Sequence, residues 1–182
     1  MNTTYGTKYA ATKDLTRVEV AKLIRAEIKA AVKDGSLPKA TYSVTCERFS
    51  GGGAIRIEVS NVSGIRVHNV ERLLFEHDQP HAYCRMDRYS AEMTTAIAAL
   101  EAILVSYNYD GSDIQSDYFN VRFYSSVRIT CRDAVKAMEL ESAIDARAAR
   151  ETPKRPALTL VRSVPKPVAQ PQNDFLAHIG AL

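Results

Sequence analysis

The stretch Thr41-Tyr42-Ser43-Val44-Thr45-Cys46-Glu47-Arg48-Phe49-Ser50-Gly51-Gly52-Gly53-Ala54-Ile55-Arg56-Ile57-Glu58-Val59 decides the fold class. Tyr42, Val44 and Cys46 alternate with Thr41, Ser43, Thr45 and Glu47. Ile55, Ile57 and Val59 alternate with Arg56 and Glu58. A period of two places all apolar members on one side of a strand, so each strand is half buried. The Ser50–Gly53 segment supplies the positive φ that a tight reversal needs. The reading is a β-hairpin with one covered face.

Outward from the hairpin, helices alternate with strands. On the N-terminal side, Thr16-Arg17-Val18-Glu19 has the spacing of a capping box. Val20, Leu23, Ile24, Ile28, Ala31 and Val32 then recur at helical steps. Asp34-Gly35, with Pro38 beyond, closes a helix over about 16–34. On the C-terminal side, Val70–Glu76 is a short helix candidate. Ser90 caps a helix to Tyr107, with Met93, Ile97, Leu100, Leu104 and Tyr107 on one face. Asn108–Asp117 is rich in Asn, Asp, Gly and Ser and reads as a loop. Tyr118–Thr130 reads as a long strand, with Phe119, Val121, Phe123, Val127 and Ile129 inward. An alanine-rich helix runs from Arg132 to about Arg150, its apolar face made of Val135, Met138, Leu140 and Ile144.

This order predicts an α+β fold: an antiparallel sheet of three strands, or slightly more, covered by helices on one face. Residues 1–151 are expected to form a single domain with a helical insertion at about 65–107. Residues 152–182 hold five of the seven prolines and read as a flexible basic tail.

The 182 residues are 46% hydrophobic and 25% charged, ordinary for a globular protein. Such a body buries enough surface to need no metal or disulfide staple. The formal net charge of +3 belongs to the tail, where Lys154, Arg155, Arg162 and Lys166 face Asp174 alone. The first 151 residues are neutral, unlike a domain that wraps duplex DNA. No apolar run is long enough for a membrane span, and the start lacks a secretory signal. Cys46, Cys84 and Cys131 read as reduced thiols of a cytoplasmic protein, with Cys46 and Cys131 in the core.

Few side chains carry a chemical signature. His77, His81 and Cys84 are three ligand types where zinc wants four, and Pro80 breaks the helix that would align them; an ordinary polar loop is the better reading. Asn108, Asp110, Asp113 and Asp117 lack calcium-loop spacing. Gly51–Gly53 lacks the Lys-Ser/Thr of a phosphate loop. No hydrolase, metalloprotease or kinase signature is present. No catalytic residue, metal or cofactor is assigned. The expected binding surface is the polar sheet face, where Arg56, Arg122, Tyr124 and Arg128 come together. Arginine and tyrosine suit stacking, bidentate contacts and interface anchoring. Within the tail, Lys154, Arg155, Arg162 and Lys166 could meet phosphates, and Phe175 and Leu176 lie in a terminal apolar cluster that suits a partner groove.

Several segments together resemble a known group. Ala21-Lys22-Leu23-Ile24-Arg25 precedes Tyr42-Ser43-Val44, then Ser50-Gly51-Gly52 and Ala54–Val59. Tyr107–Asp113 and Asp117–Tyr124 follow. The combination resembles the large polyvalent protein-associated domain, type twenty-nine, of phages and mobile elements. That family's usual Trp after the second strand is absent, with Val59-Ser60-Asn61 in its place. The resemblance implies no catalytic residue. It implies a protein acting in a bacterial cell alongside mobile DNA. The expectation is a non-enzymatic binding protein that contacts a host or phage protein complex, with counter-defence against a nucleic-acid-targeting immune complex as its sharpest form. The alternative is a small nucleic-acid-binding accessory protein using the sheet-face arginines and the basic tail.

Overall fold

The structure is a computed structural model that describes residues 4–113, 120–131 and 133–151. Among these residues, ten elements follow in order: β1 (Thr4–Tyr5), α1 (Tyr9–Thr12), α2 (Arg17–Asp34), β2 (Lys39–Phe49), β3 (Gly52–Ser63), α3 (Val70–Asp78), α4 (Ala91–Ser106), β4 (Tyr109–Asp110), β5 (Tyr124–Ile129) and α5 (Asp133–Glu151). The fold is α+β, as the hairpin and helix periodicities predict.

Local chemistry sets the boundaries. The Thr16 hydroxyl accepts from the Glu19 N–H while the Glu19 carboxylate accepts from the Thr16 N–H, so the capping box is complete. Gly35 ends α2 with φ of 85°, a conformation costly for any residue with a Cβ. The Ser90 hydroxyl caps α4 by accepting from the Met93 N–H at 3.1 Å. Asn69 caps α3 through the N–H groups of Glu71 and Arg72. Between β2 and β3 the reversal is only Ser50-Gly51, since Phe49 already pairs with Gly52. Gly51 takes φ of 91° there. Gly53 is needed for another reason: a Cβ would lie 2.6 Å from the backbone carbonyl of Glu47 and would also displace the Arg17 guanidinium.

β3 is central in the three-stranded sheet, between β2 and β5. β2 runs antiparallel to it, with Val44 level with Ile57. β5 runs parallel to it, with Val127 level with Ile57 and Ile129 level with Val59. The sheet is therefore mixed, not purely antiparallel. The cause is the long connection between β3 and β5. It carries the chain through α3 and α4, and a crossover of that kind delivers the next strand in the same direction. β1 and β4 pair separately as a two-stranded ribbon, and β4 falls within the Asn108–Asp117 segment expected to be a loop.

One face of the larger sheet is covered. Ile55, Ile57 and Val59 of β3 pack with Val20, Ile24 and Ile28 of α2 and with Met93, Leu100 and Leu104 of α4. Burying such side chains stabilises by about 1.5–3 kcal/mol each relative to exposure. Three inward expectations fail. Leu23 and Met138 are exposed, and so is Cys46, whose thiol meets the Arg17 carbonyl at 3.6 Å. Cys131 is half buried beside the core. No helix among the described residues is long and apolar enough to cross a membrane.

Candidate functional site

The uncovered sheet face is organised in rows. Register places Glu47, Ala54 and Tyr124 abreast, then Thr45, Arg56 and Ser126, then Ser43, Glu58 and Arg128. Arg56, Tyr124 and Arg128 therefore lie together, as the alternation predicts. The rings of Phe49 and Tyr124 are 5.8 Å apart, beside Ala54. Arg56 pairs with Glu47 at 3.0 Å, a half-exposed ion pair of small energetic weight. Arg128 makes no ion pair with any of the described residues. It stands beside Glu58 in the ladder.

Arg122 is not part of this face. The strand begins two residues later, and Val121 forms only an isolated bridge to Asp110. The Arg122 guanidinium turns toward the N-terminal segment. It donates to the carbonyls of Tyr107 at 2.9 Å, Leu15 at 3.1 Å and Thr12, and to the Thr12 hydroxyl at 3.0 Å. It also lies over the Tyr9 ring. A planar five-donor group suits this gathering of carbonyls. Alternation assigned Arg122 to the sheet face because it could not show where the strand begins. The earlier part of that strand reading, Tyr118 and Phe119, lies outside the described residues. So do Lys154, Arg155, Arg162, Lys166, Phe175 and Leu176.

The uncovered face continues around the outer edge of β5 into a groove of about 1440 Å³. Arg56, Tyr124 and Arg128 line one wall, and Thr94 and Ile97 of α4 line another. The groove also reaches Arg88, Tyr89 and Cys131. Nothing in the sequence marks these last three as neighbours of the sheet face, since they come from separate connections.

A buried polar join lies at the end of the groove. His68 is 5% exposed. The Glu139 carboxylate of α5 accepts its ring Nδ1–H at 2.7 Å and the backbone N–H groups of Val67 at 2.8 Å and His68 at 3.0 Å. These three contacts hold the carboxylate in place and fix the ring orientation. Cys131 is close enough for the Glu139 charge to act on it. Burial, and then that charge, push its thiol pKa up. This is the opposite of the environment that activates a thiolate.

Lys136 and Arg147 tie the same helix to α3. Lys136 donates to Glu76 at 3.2 Å, and Arg147 grips Asp78 with two N–H groups at 2.6 and 3.3 Å. His77 serves this join too, meeting Asp78 at 3.0 Å. His81 is exposed and Cys84 half buried. No group of three or more His, Cys, Asp or Glu side chains among the described residues is placed to hold a metal ion. In the acidic loop, Asp110 accepts from the Ser112 N–H at 2.9 Å, a turn-stabilising bond.

Comparison with family models, with curated proteins and with solved structures finds no match to this chain.

Proposed function

We propose that this chain is a non-enzymatic binding protein that holds a partner protein in the groove along β5. The observation carrying this reading is the composition of that groove. Arg56, Arg88, Arg128 and Lys136 line it, but so do Glu58, Asp87 and Glu101, with Phe49, Tyr89 and Tyr124 among them. Mixed charge with interspersed aromatics suits a protein surface. A phosphate backbone would call for a predominantly cationic groove. Arg56 is already engaged by Glu47, which further weakens a nucleic-acid role for the face.

The resemblance to the phage and mobile-element domain favours a partner in a bacterial host or phage complex, and counter-defence is the specific form proposed. The test is capture from a bacterial lysate with and without nuclease, comparing the natural chain with Arg128→Glu. A defined complex that survives nuclease and is lost on Arg128→Glu is the expected result. Partners that vanish with nuclease would overturn it in favour of the nucleic-acid reading. In that case removal of residues 152–182 should flatten the salt dependence.

A further inference from the structure

Backbone geometry at β5 points to how a partner would bind. In a strand, the N–H and C=O of one residue point to the same side, and successive residues alternate. The Thr130 N–H donates to the Val59 carbonyl of β3 at 2.8 Å. The backbone groups of Ser126 and Arg128 therefore point toward β3 as well. Those of Ser125, Val127 and Ile129 point away from the sheet. Among the described residues, no neighbour takes these three N–H and three C=O groups.

The other edge of the sheet differs. On β2 the Arg25 guanidinium of α2 donates to the Val44 carbonyl. β5 also lacks three of the devices that protect an edge. It has no proline and no lysine, and its register to β3 runs without a bulge from Tyr124 to Ile129. The unpaired edge opens onto the groove of about 1440 Å³.

We infer that β5 binds an extended segment of a partner protein as an added strand, through the outward backbone groups of Ser125, Val127 and Ile129. This rests on the groove being the docking surface. The walls define the segment's side chains. Toward α4 they would meet Ile97, Val127 and Ile129, so alternate residues should be apolar. Toward the uncovered face they would meet Tyr124 and Arg128, and Arg128 has no ion pair among the described residues, so the intervening residues should be acidic. Main-chain bonds would supply affinity, and these two pockets of side chains the selectivity. The inferred partner segment is a stretch of about six residues alternating apolar and acidic.

The test uses a blocked nine-residue peptide of alternating valine and glutamate, with hydrogen exchange read on the full chain by NMR. Without peptide, the amides of Ser125, Val127 and Ile129 should exchange faster than those of Ser126, Arg128 and Thr130. With peptide, the three outward amides should slow by about tenfold or more, and the three inward ones should hold steady. N-methylation of alternate peptide residues, in the phase that faces β5, should abolish binding. Ser125→Pro should do the same, and its outward N–H makes no bond within the sheet.

Failure of the outward amides to slow would overturn the inference, as would equal binding of the N-methylated peptide. If the N-methylated peptide binds equally and Arg128→Glu abolishes that binding, strand addition falls while docking on the face stands. If no peptide binds and Arg128→Glu leaves lysate capture unchanged, both fall. Should Ser125→Pro fail to fold, the N-methylated peptide decides alone.

Discussion

Val127 of β5 lies level with Ile57 of β3 on the covered side of a parallel ladder. Ile57 is wholly buried between β2 and β5, under α2 and α4. Ile57→Ala removes three carbons where no neighbour can collapse freely, and should cost about 2–5 kcal/mol. Val127 is only half buried at the edge, so Val127→Ala should cost less than about 2 kcal/mol. Urea denaturation of the two variants checks the order. Equal losses would mean that β5 is as enclosed as β3.

Arg122 should behave as a structural residue. Its guanidinium gathers the carbonyls of Thr12, Leu15 and Tyr107, joining the N-terminal segment to the end of α4. Arg122→Ala leaves those acceptors without their charged donor, at a cost of about 1–3 kcal/mol. Arg122→Lys should recover only part of this, because an ammonium cannot reproduce the planar fork. Denaturation midpoints measure the effect. Partner binding by the folded fraction should be unchanged, and a binding loss at full stability would return Arg122 to the docking surface.

Much of this architecture can be read from residue patterns. The capping box of α2, the Ser90 cap of α4 and the alternation of β3 are local signals, and each element stands where its signal lies. Tyr124 and Arg128 share a face because alternation within a strand is also local. What sequence cannot show is where a strand meets another strand, or where a side chain reaches across the fold. The parallel pairing of β5 depends on the path taken by 60 intervening residues, Gly64 to Phe123. Arg122 has the right parity for the sheet face, but two of its partners, Thr12 and Leu15, are more than 100 positions away in the chain. Glu139 and His68 are separated by 71 positions, so nothing near either one announces their bond.

That bond joins α5 to the Val67–His68 segment through one carboxylate. Glu139→Ala removes the acceptor for two backbone N–H groups and the His68 ring at once. The expected loss is about 1–3 kcal/mol. Its local signature should be faster amide exchange at Val67 and His68 and along α5. Glu139→Gln keeps one acceptor oxygen and should fall between. Unchanged exchange in both variants would show that Ala143 and its neighbours hold the helix unaided.

The second tie of α5 predicts sensitivity to acid. The Arg147 guanidinium, and then His77, lower the carboxyl of Asp78 to a pKa of about 2. An Asp in the unfolded chain titrates near its ordinary value of 3.8. The folded state therefore binds fewer protons in this range. The contribution is present above pH 4 and lost as pH falls toward 2. Because the pair is exposed, added salt should weaken it. Acid denaturation of Asp78→Asn should have a shallower limb in this window than the natural chain, and identical limbs would remove Asp78 from the account.

At the alkaline end the relevant group is Tyr107. Its hydroxyl donates to Glu27 at 2.9 Å, and the other oxygen of Glu27 takes the Lys8 ammonium. Burial of the phenol, followed by its bond to Glu27, raises its pKa to about 12, against 10 for a free tyrosine. The folded state thus keeps a proton that the unfolded chain releases. This contribution is complete below pH 10 and is lost as pH rises toward 12. Its size is at most about 3 kcal/mol, from a rise of 10 to about 12. Tyr107→Phe removes the titrating group and leaves Glu27 to Lys8. Stability between pH 10 and 12 should then fall less steeply than in the natural chain, although the variant starts lower at pH 7. Parallel slopes for the two proteins would show that another group controls the alkaline limb.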